Sequence, residues 1–248
     1  MSVDPPGYIG LGERYFDADG KFPLTVSPVT AFIGRTQRGP LNEPVSVGSF
    51  EEYRRVFGGH CSFSHLSFAT QHFFQHGGRC AVVVRVANRA IRASLDLPAG
   101  RQSLYLQARE PGNHSYLRAS VDYDGIKEET DRFNLVIQRV ARPGSQLVED
   151  QEIFHALSVV EGDKRFIADV VAGSGLVQLA GPFPKQRPDA TRASHPGHPI
   201  PYVEMSSNGS DGEELTDYDV IGSIDEGTGL FALDAIDQVD LICIPPEP

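Results

Sequence analysis

The sequence predicts a mixed α/β fold with an antiparallel insertion, and three features carry that prediction. Two short apolar runs, Val29–Gly34 and Cys80–Val86, are β-branched and bounded by Gly, Pro or charge, which is typical of buried strands. Two helical stretches lie between them. Beyond Val86, short alternating runs separated by turn residues indicate an antiparallel, β-rich module. Strand, helix, helix, strand is an α/β unit whose two strands are most simply parallel.

Local signals delimit both helices of this unit. Ser49 and Glu52 stand three residues apart, the spacing at which a hydroxyl and a carboxylate cap each other's backbone amides, and Gly58-Gly59 ends the first helix. The second helix is predicted to run from about His65 to His76. Its apolar face is expected to comprise Leu66, Ala69, Phe73 and Phe74. The predicted core of the unit comprises Phe32, Ile33, Phe73, Phe74, Val83 and Val84.

The rest of the chain divides by composition. Residues 29–91 form the first part of the α/β core domain, and residues 92–180 an inserted β-rich domain. Residues 181–206 are predicted to be an irregular, exposed, Pro-rich loop, because Gly181 to Pro201 contains six prolines. Residues 207–248 are expected to return to the core domain with a short helix at Gly229–Leu233 and a third apolar strand at Val239–Pro245.

Within the inserted domain, turn residues separate the predicted strands. The predicted strands are Ser103–Arg109, Ser115–Asp122, Asp131–Val140 and Leu176–Leu179. Pro111-Gly112-Asn113 and Asp124-Gly125 supply the turns. Two further segments, Glu152–Val160 and Phe166–Val171, are predicted to be short helices or short strands, and the sequence leaves that choice open.

The length, the net charge and the apolar runs of the chain limit the classes of protein to which it can belong. A chain of 248 residues can bury roughly 70–75 % of its unfolded surface, enough for one large domain or two small ones. The net charge of −11 disfavours nucleic-acid binding, which needs clustered Lys and Arg. No apolar run approaches the roughly 18 residues that cross a bilayer, and no basic region followed by an apolar core opens the chain. We therefore expect no membrane insertion and a cytoplasmic site of synthesis.

A group of histidines and cysteines offers the alternative of a metal-binding or redox enzyme. The group comprises His60, Cys61, His65, His72, His76 and Cys80. His72 and His76 are four apart and would share a helix face, where a cysteine could complete a zinc site. The spacing lacks a second paired ligand motif, so we expect no metal and no cofactor. The three cysteines, Cys61, Cys80 and Cys243, are expected to be buried free thiols.

Two other patterns resemble functional motifs without meeting their requirements. Gly173-Ser174-Gly175 lacks the outer glycines of a nucleophile elbow, since Ala172 and Leu176 stand at those positions. The oxygen-bearing side chains of residues 208–214 do not follow the register of an EF-hand, so a turn is the preferred interpretation. The residues alone therefore predict no catalytic site.

The order of the motifs resembles that of contractile tail sheath proteins, which occur in phage tails, R-type pyocins and related injection systems. The strings TAFIGRTQRGPLNEPVSVGSFEEYRRVFGG and SFATQHFFQHGGRCAVVVRV are similar to the opening of the sheath core domain. DRFNLV, GSDG and VDLICIP follow in the family's order, so the resemblance covers nearly the whole chain. It implies part of a subtilisin-like α/β sheath core with an inserted antiparallel β-rich domain and an extended N-terminal arm.

The resemblance implies a structural, non-enzymatic function. Such a subunit polymerises in stacked helical rings around an inner tube, and contraction drives the tube through a target cell envelope. Its partners would be further copies of itself, the inner tube protein, and baseplate and terminator proteins. The particle would be a virion tail or a phage-tail-like particle assembled in the bacterial cytoplasm. A sheath-like cap or baseplate adaptor at one end of the tube is the alternative within the same class.

The resemblance also implies where subunits touch. Residues 1–28 would be an arm that adds a strand to a neighbouring subunit, with Tyr8 and Ile9 as contacts. A disordered tail is the alternative for this segment. A structural turn is predicted to comprise Arg38, Gly39, Pro40, Asn42 and Pro44, and it is also a candidate contact with a neighbouring subunit. Sheath proteins usually continue well beyond the position that matches Pro248. The chain is therefore expected to be either a truncated portion of a longer subunit or a shortened relative that relies on a partner.

Overall fold

The computed structural model describes residues 28–114, 116–127, 131–192 and 201–248. The predicted arm contacts Tyr8 and Ile9 lie outside these residues. The elements, in chain order, are β1 (Thr30–Gly34), β2 (Pro44–Val47), α1 (Phe50–Phe57), α2 (Leu66–Gln75), β3 (Ala81–Arg85), β4 (Ser94–Ala99), β5 (Gln102–Ala108), β6 (Leu117–Asp122), β7 (Arg132–Val140), β8 (Val148–Ser158), α3 (Ile167–Val171), β9 (Val177–Leu179), β10 (Val203–Glu204), α4 (Asp217–Ile221), a 3-10 helix (Gly229–Ala235) and β11 (Leu241–Cys243).

The α/β part, which we call the body, is built on a four-stranded sheet of order β11-β1-β3-β2. β1 and β3 are parallel, with Ala31 opposite Val82, as the strand-helix-helix-strand pattern predicts. β11 pairs in parallel with the other side of β1, which confirms the third apolar strand. Pro44 was expected in the turn and instead begins β2, which runs antiparallel to β3. Proline is tolerated there because it is the first residue of an edge strand.

Side-chain alternation along the central strands divides the body into two layers. Phe32 and Val83 face α1 and α2. Ile33 and Val84 face the opposite side, which is covered by the 3-10 helix through Ala232 and Leu233 and, at the margin, by α4. The sheet carries helices on both faces, so its strands are apolar on both sides. The predicted core residues Phe32, Ile33, Val83 and Val84 are buried.

Both predicted helices form, with differences in detail. Ser49 accepts a hydrogen bond from the Glu52 N–H at 3.1 Å, as expected of an N-cap. The Glu52 carboxylate accepts from the Gly48 N–H at 2.9 Å, one residue earlier than the reciprocal capping box requires. Gly58, with φ of 85°, follows the last residue of α1. In α2 the buried residues are Leu66, Ser67 and Thr70, whereas Ala69, Phe73 and Phe74 are partly buried at the margin of the core.

The β-rich module consists of β4 to β10 with α3. One sheet has the order β10-β6-β7-β8 and the other β4-β5-β9, and every strand pair is antiparallel. The inner faces of the two sheets share one core, which includes Leu95, Leu106, Phe133, Leu135 and Ile137. The strands predicted at β5, β6, β7 and β9 are confirmed. The domain boundaries at residues 92 and 180 stay a prediction.

The structure resolves the ambiguous segments and adds a short strand near the end of the Pro-rich loop. Glu152–Val160 falls mostly in β8, and Phe166–Val171 contains α3. Residues 181–192 are irregular and mostly exposed, as predicted, although Pro184 and Pro188 are buried. Val203–Glu204 adds β10 to the edge of β6. The described part of the loop contacts the module through Phe183 and Pro188, which carry no sequence periodicity.

Candidate functional site: the junction between body and module

The turn after β1 carries Arg38, whose guanidinium connects the body to the β-rich module. Its Nη1 donates to the Glu149 carboxylate of β8 at 2.9 Å. Its Nη2 donates to the carbonyl oxygens of Arg54 and Arg55 in the last turn of α1, at 3.4 and 3.0 Å. The last carbonyls of a helix lack intrahelical donors and carry partial negative charge, so the guanidinium stabilises the end of α1. One side chain thereby links α1 to β8.

The conformation and the neighbours of the next residue, Gly39, require a glycine at this position. Its φ of 107° favours glycine. A Cβ at this position would lie 2.6 Å from the Phe57 ring. The Gly39 N–H donates to the Glu110 carboxylate at 2.8 Å, and its carbonyl accepts from Arg85 at 2.7 Å. The backbone of the turn therefore approaches both α1 and the module at distances that exclude a side chain.

Asn42 fixes the far end of the turn. Its φ of 56° is left-handed, a conformation that asparagine adopts more readily than most residues. The Asn42 N–H donates to the Arg85 carbonyl at 2.8 Å. Its side-chain oxygen accepts from the Gly229 N–H at 3.0 Å, at the start of the 3-10 helix. Asn42 thus joins the turn to β3 and to the layer on the opposite face of the sheet.

Arg85, the last residue of β3, lies at the centre of the junction and is 2 % exposed. Its Nη1 donates to Gly39 and its Nη2 to the Pro111 carbonyl at 2.8 Å, in the loop after β5. Burying a guanidinium is costly unless its hydrogen bonds are satisfied. Two carbonyls, one from the body and one from the module, supply acceptors. Arg85 therefore stabilises the contact between the two parts.

Acidic side chains surround this buried cation. Burial lowers the pKa of the Arg85 guanidinium, and the carboxylates of Glu110 and Asp211 oppose that shift. Asp211 also accepts from the Asn113 N–H at 3.1 Å. Arginine is not deprotonated in proteins, so the group remains a cation at neutral pH. The junction is thus a buried charge balanced by carboxylates from two separate loops.

Glu149 extends the network to the surface. It lies between Arg38 and the Nε of Arg139, which is 3.7 Å from its carboxylate. Arg139 also pairs with Asp150 at 3.4 Å. An open groove of about 760 Å³ borders Arg38, Glu149 and the charged side chains of α1. Ligand sites are mostly apolar with a few convergent polar groups, and this groove has the opposite composition.

These contacts place the predicted turn residues within the chain. Arg38, Gly39 and Asn42 bind other segments of the same molecule, Pro40 is half-buried, and Pro44 begins β2. Their contact with a neighbouring subunit stays a prediction. The arrangement can hold the body and the module in a fixed orientation.

The histidines and cysteines have other partners. His60 hydrogen-bonds Ser67 at 3.0 Å and stacks on Phe68 with ring centroids 4.1 Å apart. His76 hydrogen-bonds the His72 carbonyl at 2.8 Å. Across the described ranges, no three His, Cys, Asp or Glu side chains are grouped so as to hold a metal ion. The cysteines Cys61, Cys80 and Cys243 are free thiols, as predicted, but are half-buried rather than buried.

The two weaker motifs are structural. Ser174 is buried and donates to the Glu152 carboxylate while accepting from the N–H groups of Leu176 and Val177, so its hydroxyl stabilises a turn. In the 208–214 loop, the Asp211 carboxylate accepts a hydrogen bond from the Asn113 N–H of the module, and Glu213 pairs with Arg89 at 3.3 Å.

In the part of the chain that the structure describes, the longest helix is the ten-residue α2, too short to cross a bilayer.

Sequence reasoning identified Arg38, Gly39 and Asn42 but missed their partners in the junction. Arg85 belongs to the predicted apolar strand Cys80–Val86, and the sequence does not single out Glu110 or Glu149. A charged residue between Val84 and Val86 in a buried strand is a usable signal, because an unpaired buried charge is rarely tolerated. The carboxylates gave no such signal, since their partners lie far away in sequence.

Comparison with known proteins finds structural matches but no match in sequence. No protein-family model and no curated protein matches the sequence. A sheath tail protein from Listeria innocua matches in structure over 88 % of this chain and 40 % of its own, with a TM-score of 0.53 at 12 % identity. A sheath tail protein from Desulfitobacterium hafniense matches over 96 % of this chain and 45 % of its own, with a TM-score of 0.48 at 14 % identity.

The fold assignment rests on the first of these structures. At 12 % identity the likeness concerns the fold, and this chain spans 40 % of the length of the Listeria protein. An α/β body joined to an antiparallel β-rich module is therefore a tail sheath-like fold. This agrees with the resemblance that the sequence motifs show.

Proposed function

We propose that this chain is a structural subunit of a contractile tail sheath. It polymerises with further copies around an inner tube and contracts to drive the tube through a target cell envelope. Its other partners are the inner tube protein and the baseplate and terminator proteins, and its location is the tail of a virion or of a phage-tail-like particle, assembled in the bacterial cytoplasm. The structural match to the Listeria sheath tail protein carries the proposal. The protein is not an enzyme in this account.

Two further observations support the proposal. The sequence motifs occur in the order found in sheath proteins, from the first strand to β11. The junction holds body and module together through charge-assisted hydrogen bonds, which are buried at Arg85 and exposed at Arg38. A subunit of this kind moves as one unit, so the energy released in contraction resides in contacts between subunits. Tyr8 and Ile9 of the arm, and the Arg38 turn, are the proposed contacts.

Immunogold electron microscopy of particles from the native source tests the proposal. An antibody against the described part of the β-rich module, such as a peptide covering β7 and β8, is applied to purified particles. Pre-absorption of the antibody with the purified chain is the matched control. We expect label along the full length of rods. Rods that carry no label would overturn the assignment.

The same experiment separates the alternatives. Label confined to one end of the tube would favour a sheath-like cap or baseplate adaptor. The metal-binding or redox enzyme is the remaining alternative, although the structure does not bring its histidines and cysteines together. Stoichiometric zinc in the purified protein that is lost in His72→Ala would favour it.

A further inference from the structure

The two sheets of the β-rich module differ in how their outer faces use polar side chains. On the larger sheet, β10-β6-β7-β8, the outer side chains bond to one another. The Arg118 Nε donates to the Gln138 side-chain oxygen at 2.8 Å, and Asn134 donates to the Asp122 carboxylate at 2.7 Å. Arg118, Asn134 and Gln138 are each at most 7 % exposed. This outer face is therefore closed by its own hydrogen bonds.

The outer face of the smaller sheet, β4-β5-β9, leaves its polar side chains without partners. Alternate residues of these strands fill the shared core, so the residues between them point outward. The register places Asp96 opposite Tyr105, and Gln107 opposite Gln178. The side chains of Asp96, Gln107 and Gln178 form no hydrogen bond or ion pair with any described residue. Their hydrogen-bonding groups are thus available to another molecule.

Tyr105, on the central strand, lines a depression in this face. The residue is 40 % exposed. The chain after β9 passes beside its ring: the Ala180 N–H donates to the Tyr105 carbonyl at 2.9 Å, and a Cβ on Gly181 would lie 3.3 Å from the ring. The depression has a volume of about 340 Å³ and is also lined by Asp96 and Gln107. An exposed aromatic ring therefore lies beside a carboxylate and an amide that lack partners.

The charge of the depression limits the class of ligand that it can bind. Among the described residues, no Lys or Arg lines it, so phosphates and other anions find no cation there. Asp96 is its single carboxylate, whereas a calcium ion takes several oxygen ligands. The remaining polar groups are neutral. The depression therefore suits a neutral ligand that bonds through hydroxyl or amide groups.

A sugar ring has the complementary pattern of groups. One face of a hexopyranose carries C–H groups, which pack on the apolar face of an aromatic ring. The hydroxyl groups around its edge both donate and accept hydrogen bonds. A carboxylate accepts from two adjacent hydroxyls, and a glutamine amide both donates and accepts. The volume of the depression also lies within the range of small-ligand sites.

We propose that this face binds a neutral saccharide, with the sugar ring stacked on Tyr105 and its hydroxyl groups bonded to Asp96 and Gln107. Gln178, opposite Gln107, extends the row of amides toward a second sugar residue. The site is independent of the proposed function, since none of its residues belongs to the arm, to the Arg38 turn or to the junction. It adds a ligand-binding activity to a structural subunit.

Saturation-transfer-difference NMR on the full chain tests this site. The probes are the methyl glycosides of glucose, galactose, mannose and N-acetylglucosamine. Each is titrated to about 20 mM, because a ligand of this size is expected to bind with a dissociation constant of about 1 mM. Choline is the cationic probe for the same ring. We expect transfer to at least one glycoside, strongest at the C–H protons on one face of the sugar ring.

Three variants define which groups bind the sugar. Tyr105→Ala removes the ring and should weaken binding by at least about tenfold. Asp96→Asn keeps the shape of the side chain but loses its charge-assisted hydrogen bonds, so binding should weaken about fivefold. Tyr218→Ala is the matched control, because it removes an 86 % exposed tyrosine from α4 of the body, and it should leave the affinity unchanged. Thermal unfolding of each variant checks that the fold is kept.

The result that supports the site is weaker binding in both Tyr105→Ala and Asp96→Asn at an unchanged unfolding temperature. Absence of transfer to all four glycosides in the wild type would overturn it. Unchanged affinity in Asp96→Asn, or equal losses in Tyr105→Ala and Tyr218→Ala, would also contradict it. Binding of choline without any sugar would assign the ring to a cation instead. None of these outcomes alters the sheath assignment, which immunogold labelling tests separately.

Discussion

The β-rich module and the body bury their apolar side chains in different ways. The module closes two antiparallel sheets on one continuous core. The body divides its apolar side chains between two thin layers on either side of one sheet, and β11 at its edge leaves Leu241 and Ile242 about half exposed. The module therefore depends on its own packing. The body depends more on its junction with the module.

The largest expected loss of stability follows a substitution in the module core. Phe133 of β7 is fully buried, so Phe133→Ala should lower the free energy of unfolding by about 3–5 kcal/mol. Because the module has one core, hydrogen exchange should rise together in β4 to β9. Urea unfolding and hydrogen exchange measure the two effects. Phe68→Ala, at a 42 % exposed position, is the control and should change stability by less than about 0.5 kcal/mol. Increased exchange limited to β7 would contradict a single core.

Replacement of the buried Arg85 should cause the second-largest loss of stability. Arg85→Met leaves the Gly39 and Pro111 carbonyls without their donors and the nearby carboxylates without a cation. We expect a loss of about 3 kcal/mol in unfolding free energy. Arg85→Lys keeps the charge but cannot reach both carbonyls, so its loss should be smaller. Equal stability of Arg85→Met and the wild type would show that the junction does not stabilise the body.

Gly39→Ala tests the backbone of the junction. The added methyl group would contact the Phe57 ring in a left-handed conformation, at an expected cost of about 2 kcal/mol. Gly59→Ala, in a neighbouring position where a Cβ meets nothing within 4 Å, is the matched control and should be nearly neutral. Thermal unfolding of both variants gives the comparison. If both substitutions were equally tolerated, the turn would not be held against α1.

The smallest effect should be a gain in stability within the body. The Tyr53 hydroxyl is buried and has no hydrogen-bond partner among the described residues, and burial raises its pKa. Tyr53→Phe removes this unsatisfied group while keeping the ring, which stacks on Phe50 at 5.5 Å. The variant should gain about 1 kcal/mol in unfolding free energy. A loss of that size in urea unfolding would indicate that the hydroxyl has a partner.

Much of the body could be predicted from sequence, because its strands and helices are set by local signals. β1, β3 and α1 follow from apolar runs and from the cap at Ser49. β2 was missed because four residues beginning with Pro44 give no periodic pattern, and its place beside β3 is decided by tertiary packing.

In the module, prediction failed where alternation is interrupted. β4 contains Pro98, which sequence patterns assign to a non-strand or an edge. β8 is charged along its first half, and its pairing with β7 shifts register near Ala156, which has a φ of 53°. The junction could not be predicted in full, because Arg38 and Glu149 are separated by 111 positions and neither is unusual in its local sequence.

Helical reconstruction by electron cryo-microscopy of immunolabelled rods tests the central claim most directly. The account predicts that the rod wall contains the four-stranded sheet of order β11-β1-β3-β2 beside the β-rich module, joined as in the isolated chain, in every repeat. Side-chain density for Arg85 between the Gly39 and Pro111 carbonyls would identify the subunit. A wall built from a different fold, or this chain found only at one end of the tube, would contradict the account.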